Sequence, residues 1–173
     1  MSDPTRQTRK DFPYLIQIPT RWSDNDMLGH VNNVLYYRYF EAIVVRFQME
    51  EAGIDWINDA VSPQAVETLC RFHRPLSFPE IIDAGLRVER ISNSSVTFAI
   101  ALFGENDETP AATGHFVHVF VDSETLKSQP IPAPIRGVLE KFVASQRTKG
   151  TQPRNVRQSR PFLLSRFAVL AGV

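Results

Sequence analysis

Between positions 34 and 52 large apolar side chains recur every three or four residues, as Tyr36, Tyr39, Phe40, Ile43, Val44 and Phe47. That interval gathers them on one stripe of a helix, and a stripe this large must be covered by other parts of the chain. Asn32 or Asn33 is placed to cap its start, and Gly53 to stop its end. The neighbouring segments supply strands. Residues 14–22 alternate, with Tyr14, Ile16, Ile18 and Trp22 on one face and Gln17 and Arg21 on the other, and Pro19 marks an edge or a bulge. Four more strand-like runs follow, at 65–73, 82–91, 96–103 and 113–121. The last three are separated by short polar turns and predict an antiparallel meander. After Pro130, Pro132 and Pro134 the positions of Ile135, Val138, Leu139 and Phe142 predict a shorter helix. One long helix against one antiparallel sheet is an α+β design in which the sheet wraps the helix.

Composition narrows the classes of function. With 173 residues, 43% hydrophobic and 22% charged, the chain buries a core as a single domain. No apolar run reaches the roughly 18 residues needed to span a bilayer. The start, residues 1–10, lacks the apolar stretch of a secretory signal, which sets the expected location as cytoplasmic. A single cysteine, Cys70, excludes an intrachain disulfide. Its alternation with Val66, Thr68 and Phe72 makes it a small buried residue of a strand rather than a nucleophile. The 19 basic and 19 acidic residues are unevenly placed: Arg147, Lys149, Arg154, Arg157, Arg160 and Arg166 all lie in 146–173, where no acid occurs. Residues 1–145 therefore hold 13 basic against 19 acidic, which argues against nucleic-acid binding by the body. His115 and His118, three apart on a strand, face opposite sides and cannot share a metal.

The informative stretch is 21–41, RWSDNDMLGHVNNVLYYRYFE. Two carboxylates, Asp24 and Asp26, a glycine, a histidine and two asparagines stand immediately before the long helix. The first turn of a helix has unpaired N–H groups and partial positive charge, so it can hold a carbonyl oxygen that gains negative charge during acyl transfer. A carboxylate beside it can attack the carbonyl carbon or take a proton from water. The same residues also suit a plain polar cap.

The pattern R-W-x-D-x-D-x-x-G-H-V-N-N-x-x-Y-x-x-x-x-E closely resembles hotdog-fold thioesterases of the 4-hydroxybenzoyl-CoA thioesterase type, and most of all their acyl-CoA thioesterase branch. The resemblance extends through the element order to about residue 145, including Arg74-Pro75, Pro79-Glu80 and the proline-led last helix. It implies a hotdog fold, a long central helix wrapped by a five-stranded antiparallel sheet. It implies an acyl-CoA substrate and no metal or organic cofactor. By motif position Asp26 matches the catalytic carboxylate, acting as nucleophile or general base, and the Asn33 backbone N–H matches the group that polarises the thioester. Gly29, His30 and Asn32 orient the loop or the substrate. Asp24 is expected to fix the loop by accepting backbone N–H bonds, and Glu41 to have a supporting role. Relatives place an arginine three or four residues after that glutamate, where this chain has Val44 and Val45, so Arg46 inherits no role. The resemblance also implies a homodimer or homotetramer with sites between subunits. An open sheet edge independently asks for such a partner.

Two other functions fit the same fold: a shell that binds acyl-CoA without cleaving it, and an enoyl-thioester hydratase, for which no second acid–base pair is evident. The segment 146–173 is set apart as a basic tail, able to dock on the acidic body, on CoA phosphates or on an anionic membrane, or to stay solvated.

Overall fold

The computed structural model describes residues 6–143. The basic segment 146–173, with every expectation attached to it, lies outside the described residues. The elements in chain order are β1 (Tyr14–Pro19), α1 (Asn33–Glu50), β2 (Val61–Phe72), β3 (Ile81–Ile91), β4 (Ser95–Phe103), β5 (Ala112–Asp122) and α2 (Ala133–Lys141). The five strands form one antiparallel sheet in the order β1-β3-β4-β5-β2. This is the α+β hotdog arrangement, with β3-β4-β5 as the expected meander.

The stripe on α1 is the buried one: Tyr36, Tyr39, Phe40, Ile43, Val44 and Phe47 all face the core. They pack on alternate residues of the sheet, among them Ile82, Leu86, Phe98, Ile100, Leu102, Phe116 and Phe120. Alternation on β3 is what turns Ile82, Ala84, Leu86 and Val88 to the helix together. At the far end of α1, α2 closes the core with Ile135 and Leu139, and Phe142 meets the Phe47 ring edge-on at 4.9 Å. Helix and sheet meet closely at Gly114 of β5. A Cβ there would overlap the Leu69 carbonyl oxygen and stand 2.6 Å from Phe40 Cε2, so only glycine lets Phe40 settle onto the sheet.

Three local expectations change. β1 stops at Pro19, three residues early, because Thr20 turns its N–H and hydroxyl to the Glu80 carbonyl, at 3.1 and 2.7 Å. Trp22 therefore lies in a single 3-10 turn, 81% exposed, with its ring edge-on to Phe78 instead of in the core. β2 starts at Val61, four residues before the expected strand, and contains Pro63. It tolerates that proline because it pairs only with β5 and is one of the sheet's two edge strands.

The third change is a bulge between Ala65 and Glu67, which takes Val66 out of register. Thr68, Cys70 and Phe72 pair with Phe116, Gly114 and Ala112 and share the helix face without it. Cys70 is only half-buried, since no further strand covers β2. Its surroundings are apolar enough that burial pushes the thiol up to about 12, so it is protonated and unreactive at neutral pH.

Candidate functional site

The loop between β1 and α1 is a closed hairpin. Asn25 and Val31 bridge across its neck, the Asp26 N–H donates to the His30 carbonyl at 2.8 Å, and the Gly29 N–H donates to the Asp26 carbonyl at 3.0 Å. The reversal needs a positive φ, which Gly29 supplies at +78°. The Asn25 side chain secures the outside, its amide donating to the Gly29 carbonyl and its oxygen accepting from the Phe78 N–H at 3.1 Å each. The 74–80 segment is the platform below. The Val31 N–H donates to the Leu76 carbonyl at 2.8 Å, and the Leu76 N–H donates to the Tyr36 hydroxyl at 3.1 Å.

Asp24 is the buried acid of the pair. Its Oδ2 accepts from the Arg21 N–H at 2.8 Å and from the Tyr39 hydroxyl at 2.9 Å, while its carbonyl accepts from the Asn32 N–H at 2.9 Å. The acid thus ties the loop to α1 from below. Burial and this neighbouring carboxylate raise the Tyr39 phenol, which stays a donor across the accessible pH range.

Asp26 is held differently. Its Oδ1 accepts from the Leu28 N–H at 2.8 Å, a local turn that fixes the carboxylate's direction. Its Oδ2 has no hydrogen-bond partner among the described residues, and the residue is only part-buried. At the helix start Asn32 is the cap, its Oδ1 accepting from the Val34 N–H at 3.1 Å. Asn33 is the first helical residue, and its N–H meets no acceptor among the described residues. His30 is exposed beside them. The loop therefore brings a carboxylate oxygen with spare capacity and an open helix-start N–H to one end of α1. It also exposes apolar side chains there: Met27 at 98%, Leu28 at 76% and Val34 at 63%.

The sequence reading overlooked a second polar feature. Along α1, Glu41, Val44 and Val45 face Trp56, Pro63–Ala65, Phe116 and His118 across a cavity of about 170 Å³. His118 is buried, and its Nδ1 lies 3.0 Å from the Gln48 amide nitrogen. The available signal was Gln48 itself, four residues after Val44 on the apolar stripe. A polar residue at such a position needs a partner. His115 points to the other face and pairs with Glu67, as the strand geometry required. Among the described residues no three or more His, Cys, Asp or Glu side chains converge as a metal set.

Burial pushes the His118 imidazole down to about 4, because the charged form is poorly solvated there. The unfolded chain then binds more protons than the folded one between about pH 4 and 6.5. The neutral ring's contribution is complete above pH 6.5 and lost as pH falls through that window, by roughly 3 kcal/mol in all. Urea unfolding of wild type and His118→Gln across pH 4–7 is expected to show a shallower acid loss in the variant.

Comparison with known proteins gives a consistent picture. Residues 20–142 match the model of the thioesterase-like superfamily. The PA5185 protein of Pseudomonas aeruginosa strain PAO1 is 39% identical in sequence, with a TM-score of 0.77 over 80% of this chain and 96% of that one. The uncharacterized protein YsmA of Bacillus subtilis is 26% identical over 72% of this chain and 84% of its own length. A thioesterase from Thermus thermophilus, crystallised with coenzyme A and Zn, shares the fold at 24% identity and a TM-score of 0.68, covering 77% of this chain and 96% of that one. No helix among the described residues is long and apolar enough to cross a membrane. The match spans the loop, the helix and the whole sheet from β2 onward, and on that evidence the chain belongs to the thioesterase-like superfamily.

Proposed function

We propose that the chain is an acyl-CoA thioesterase of the 4-hydroxybenzoyl-CoA type, hydrolysing an acyl or aryl thioester to a carboxylate and free CoA. The reading rests on one observation: the Asn33 N–H begins the helix that follows a loop presenting the Asp26 carboxylate, and among the described residues that N–H and one carboxylate oxygen have no hydrogen-bond partner. In this reading the Asn33 N–H donates to the thioester oxygen as negative charge grows on it, helped by the positive end of the helix dipole. Asp26 attacks the carbonyl carbon, or removes a proton from the water that does. If Asp26 attacks, the carbon–sulfur bond breaks to leave a mixed anhydride on Asp26, which water then hydrolyses to the free carboxylates; if Asp26 acts as base, the water oxygen bonds to the carbonyl carbon directly and the carbon–sulfur bond breaks. Either way CoA leaves as a thiolate and takes up a proton. Gly29 sets the turn, Asn32 fixes the helix start, and the exposed His30 is assigned to orienting the loop or the substrate. The chemistry as written calls on no metal or organic cofactor. Membership of the superfamily and the CoA-bound Thermus relative favour a CoA ester.

The same reading includes a second copy of the chain. β2 is a 12-residue edge strand with one paired side, and Val66 (60%) and Phe72 (48%) are exposed on it. Such an edge is a template for another strand, and the apolar Met27 and Leu28 beside Asp26 would also gain cover from a partner. Light scattering at low micromolar concentration is expected to give at least twice the chain mass; a monomer would contradict this.

A panel of acyl-CoAs with a thiol reagent tests the activity. Release of CoA far above the spontaneous rate supports hydrolysis. Tight acyl-CoA binding with no thiol released would make the chain a binding shell instead.

A further inference from the structure

Asp24 grips α1 at two heights. Its backbone carbonyl accepts from the Asn32 N–H at 2.9 Å, at the cap, and its Oδ2 accepts from the Tyr39 hydroxyl at 2.9 Å. Asn32 and Tyr39 are seven residues apart, about two turns, and so lie on the same side of the helix. Long side chains on a helix lean toward its N-terminus, which carries the Tyr39 phenol back to the loop. Tyr39 is 7% exposed, within the apolar stripe. Phenylalanine would fill that space as well, so packing alone does not account for the hydroxyl.

From Asp24 the bonds run on to both reacting positions. Asn32, fixed by the Asp24 carbonyl, takes the Val34 N–H on its side-chain oxygen at 3.1 Å and the Leu35 N–H on its carbonyl at 2.9 Å. Those two donors are spent, and the Asn33 N–H is the one left over. In the other direction, two residues past Asp24, the Asp26 N–H closes the hairpin on the His30 carbonyl at 2.8 Å. A hydroxyl on the second turn of α1 therefore refers the carboxylate to the same rigid element whose first N–H faces the substrate in this reading.

We propose that Tyr39 is a positioning residue for thioester cleavage: its hydroxyl, acting through Asp24, sets where Asp26 stands relative to the Asn33 N–H. The inference rests on the thioesterase reading and adds a residue that touches neither the substrate nor the reacting atoms. A hydrogen bond to an ionised acceptor is stronger than one between neutral groups, and reacting groups tolerate little displacement before rate is lost. The far end of the same helix supplies a matched comparison. Tyr14 is 8% exposed and donates its hydroxyl to Glu50 Oε2, also at 2.9 Å. Glu50 ends the 18-residue helix, roughly 25 Å along the axis from Asn33.

The test compares full-length wild type, Tyr39→Phe and Tyr14→Phe on the best acyl-CoA, well below their thermal midpoints. Each substitution removes one hydroxyl and keeps the ring. Tyr39→Phe is expected to lower kcat by about tenfold or more with KM within about twofold of wild type. Tyr14→Phe is expected to lose stability to a similar degree and keep its kcat. A Tyr39→Phe protein that loses stability alone, as Tyr14→Phe does, would overturn the inference. So would equal losses of kcat in the two variants, or a loss confined to KM. Amide exchange followed by NMR reads the strut without turnover. The Asp26 and Asn32 N–H groups are expected to exchange about tenfold faster in Tyr39→Phe and to stay near wild type in Tyr14→Phe. A wild type that cleaves no thioester would sink the thioesterase reading. The exchange rates then still decide whether Tyr39 fixes the loop, faster exchange upholding the strut and equal exchange overturning it.

Discussion

Asp26→Asn is expected to lower CoA release from the best acyl-CoA at least a hundredfold, the scale on which a positioned acid–base group or nucleophile contributes. The substitution is close to isosteric. An asparagine side-chain oxygen can still accept from the Leu28 N–H, so the bond that directs the group, 2.8 Å in the wild type, is preserved. What disappears is the basic oxygen that has no partner among the described residues. An unchanged thermal midpoint beside a collapsed rate separates chemistry from folding. Equal rates for the two proteins would remove Asp26 from the mechanism. Asp24→Asn is a contrasting case, because Asp24 is buried and engaged by Arg21 and Tyr39. Its loss is expected to appear first in the stability of the loop and helix start.

Gly114→Ala is expected to give the largest stability loss of any single added methyl group in the sheet. The new Cβ meets the Leu69 carbonyl oxygen of β2 on one side and Phe40 Cε2 at 2.6 Å on the other. Neither can give way cheaply. One is backbone in a paired strand, and the other is a ring with no exposure. Overpacking of this severity costs on the order of 3 kcal/mol, or a Tm lower by roughly 10 °C. Because Phe40 sets how α1 rests on the sheet, activity should fall as well. Gly29→Ala provides the control. No atom lies within 4 Å of its would-be Cβ, and only the +78° φ resists, at about 1 kcal/mol. Thermal unfolding of both variants checks the order. A midpoint for Gly114→Ala within a degree of wild type would show that the helix–sheet contact is looser than described.

Much of this architecture is written in local periodicity. The α1 stripe, the meander of β3, β4 and β5 and the proline-led α2 all follow from spacing within a single segment. Pairings between distant segments do not, so nothing local reveals that β1 joins β3 while β2 joins β5. Trp22 shows the limit at short range. Its place in the alternation ends where Thr20 bonds to Glu80, a residue sixty positions away. The β2 bulge is similarly invisible, since alternation counts residues and a bulge inserts one. At the candidate site, the motif from Asp24 to Asn33 was legible because its residues serve one another within a few positions. The cavity was not. Gln48, Trp56, Pro63 and His118 come from four segments, and only the fold brings them together.

The chemistry is assigned to one loop and one helix end. The most direct measurement is the crystal structure of Asp26→Asn with an uncleaved acyl-CoA. The thioester oxygen is expected about 2.7–3.1 Å from the Asn33 backbone nitrogen, with the residue 26 side chain facing the carbonyl carbon or a water beside it. A thioester bound elsewhere, or one whose oxygen takes its hydrogen bonds from other groups while residue 26 faces solvent, would contradict the account.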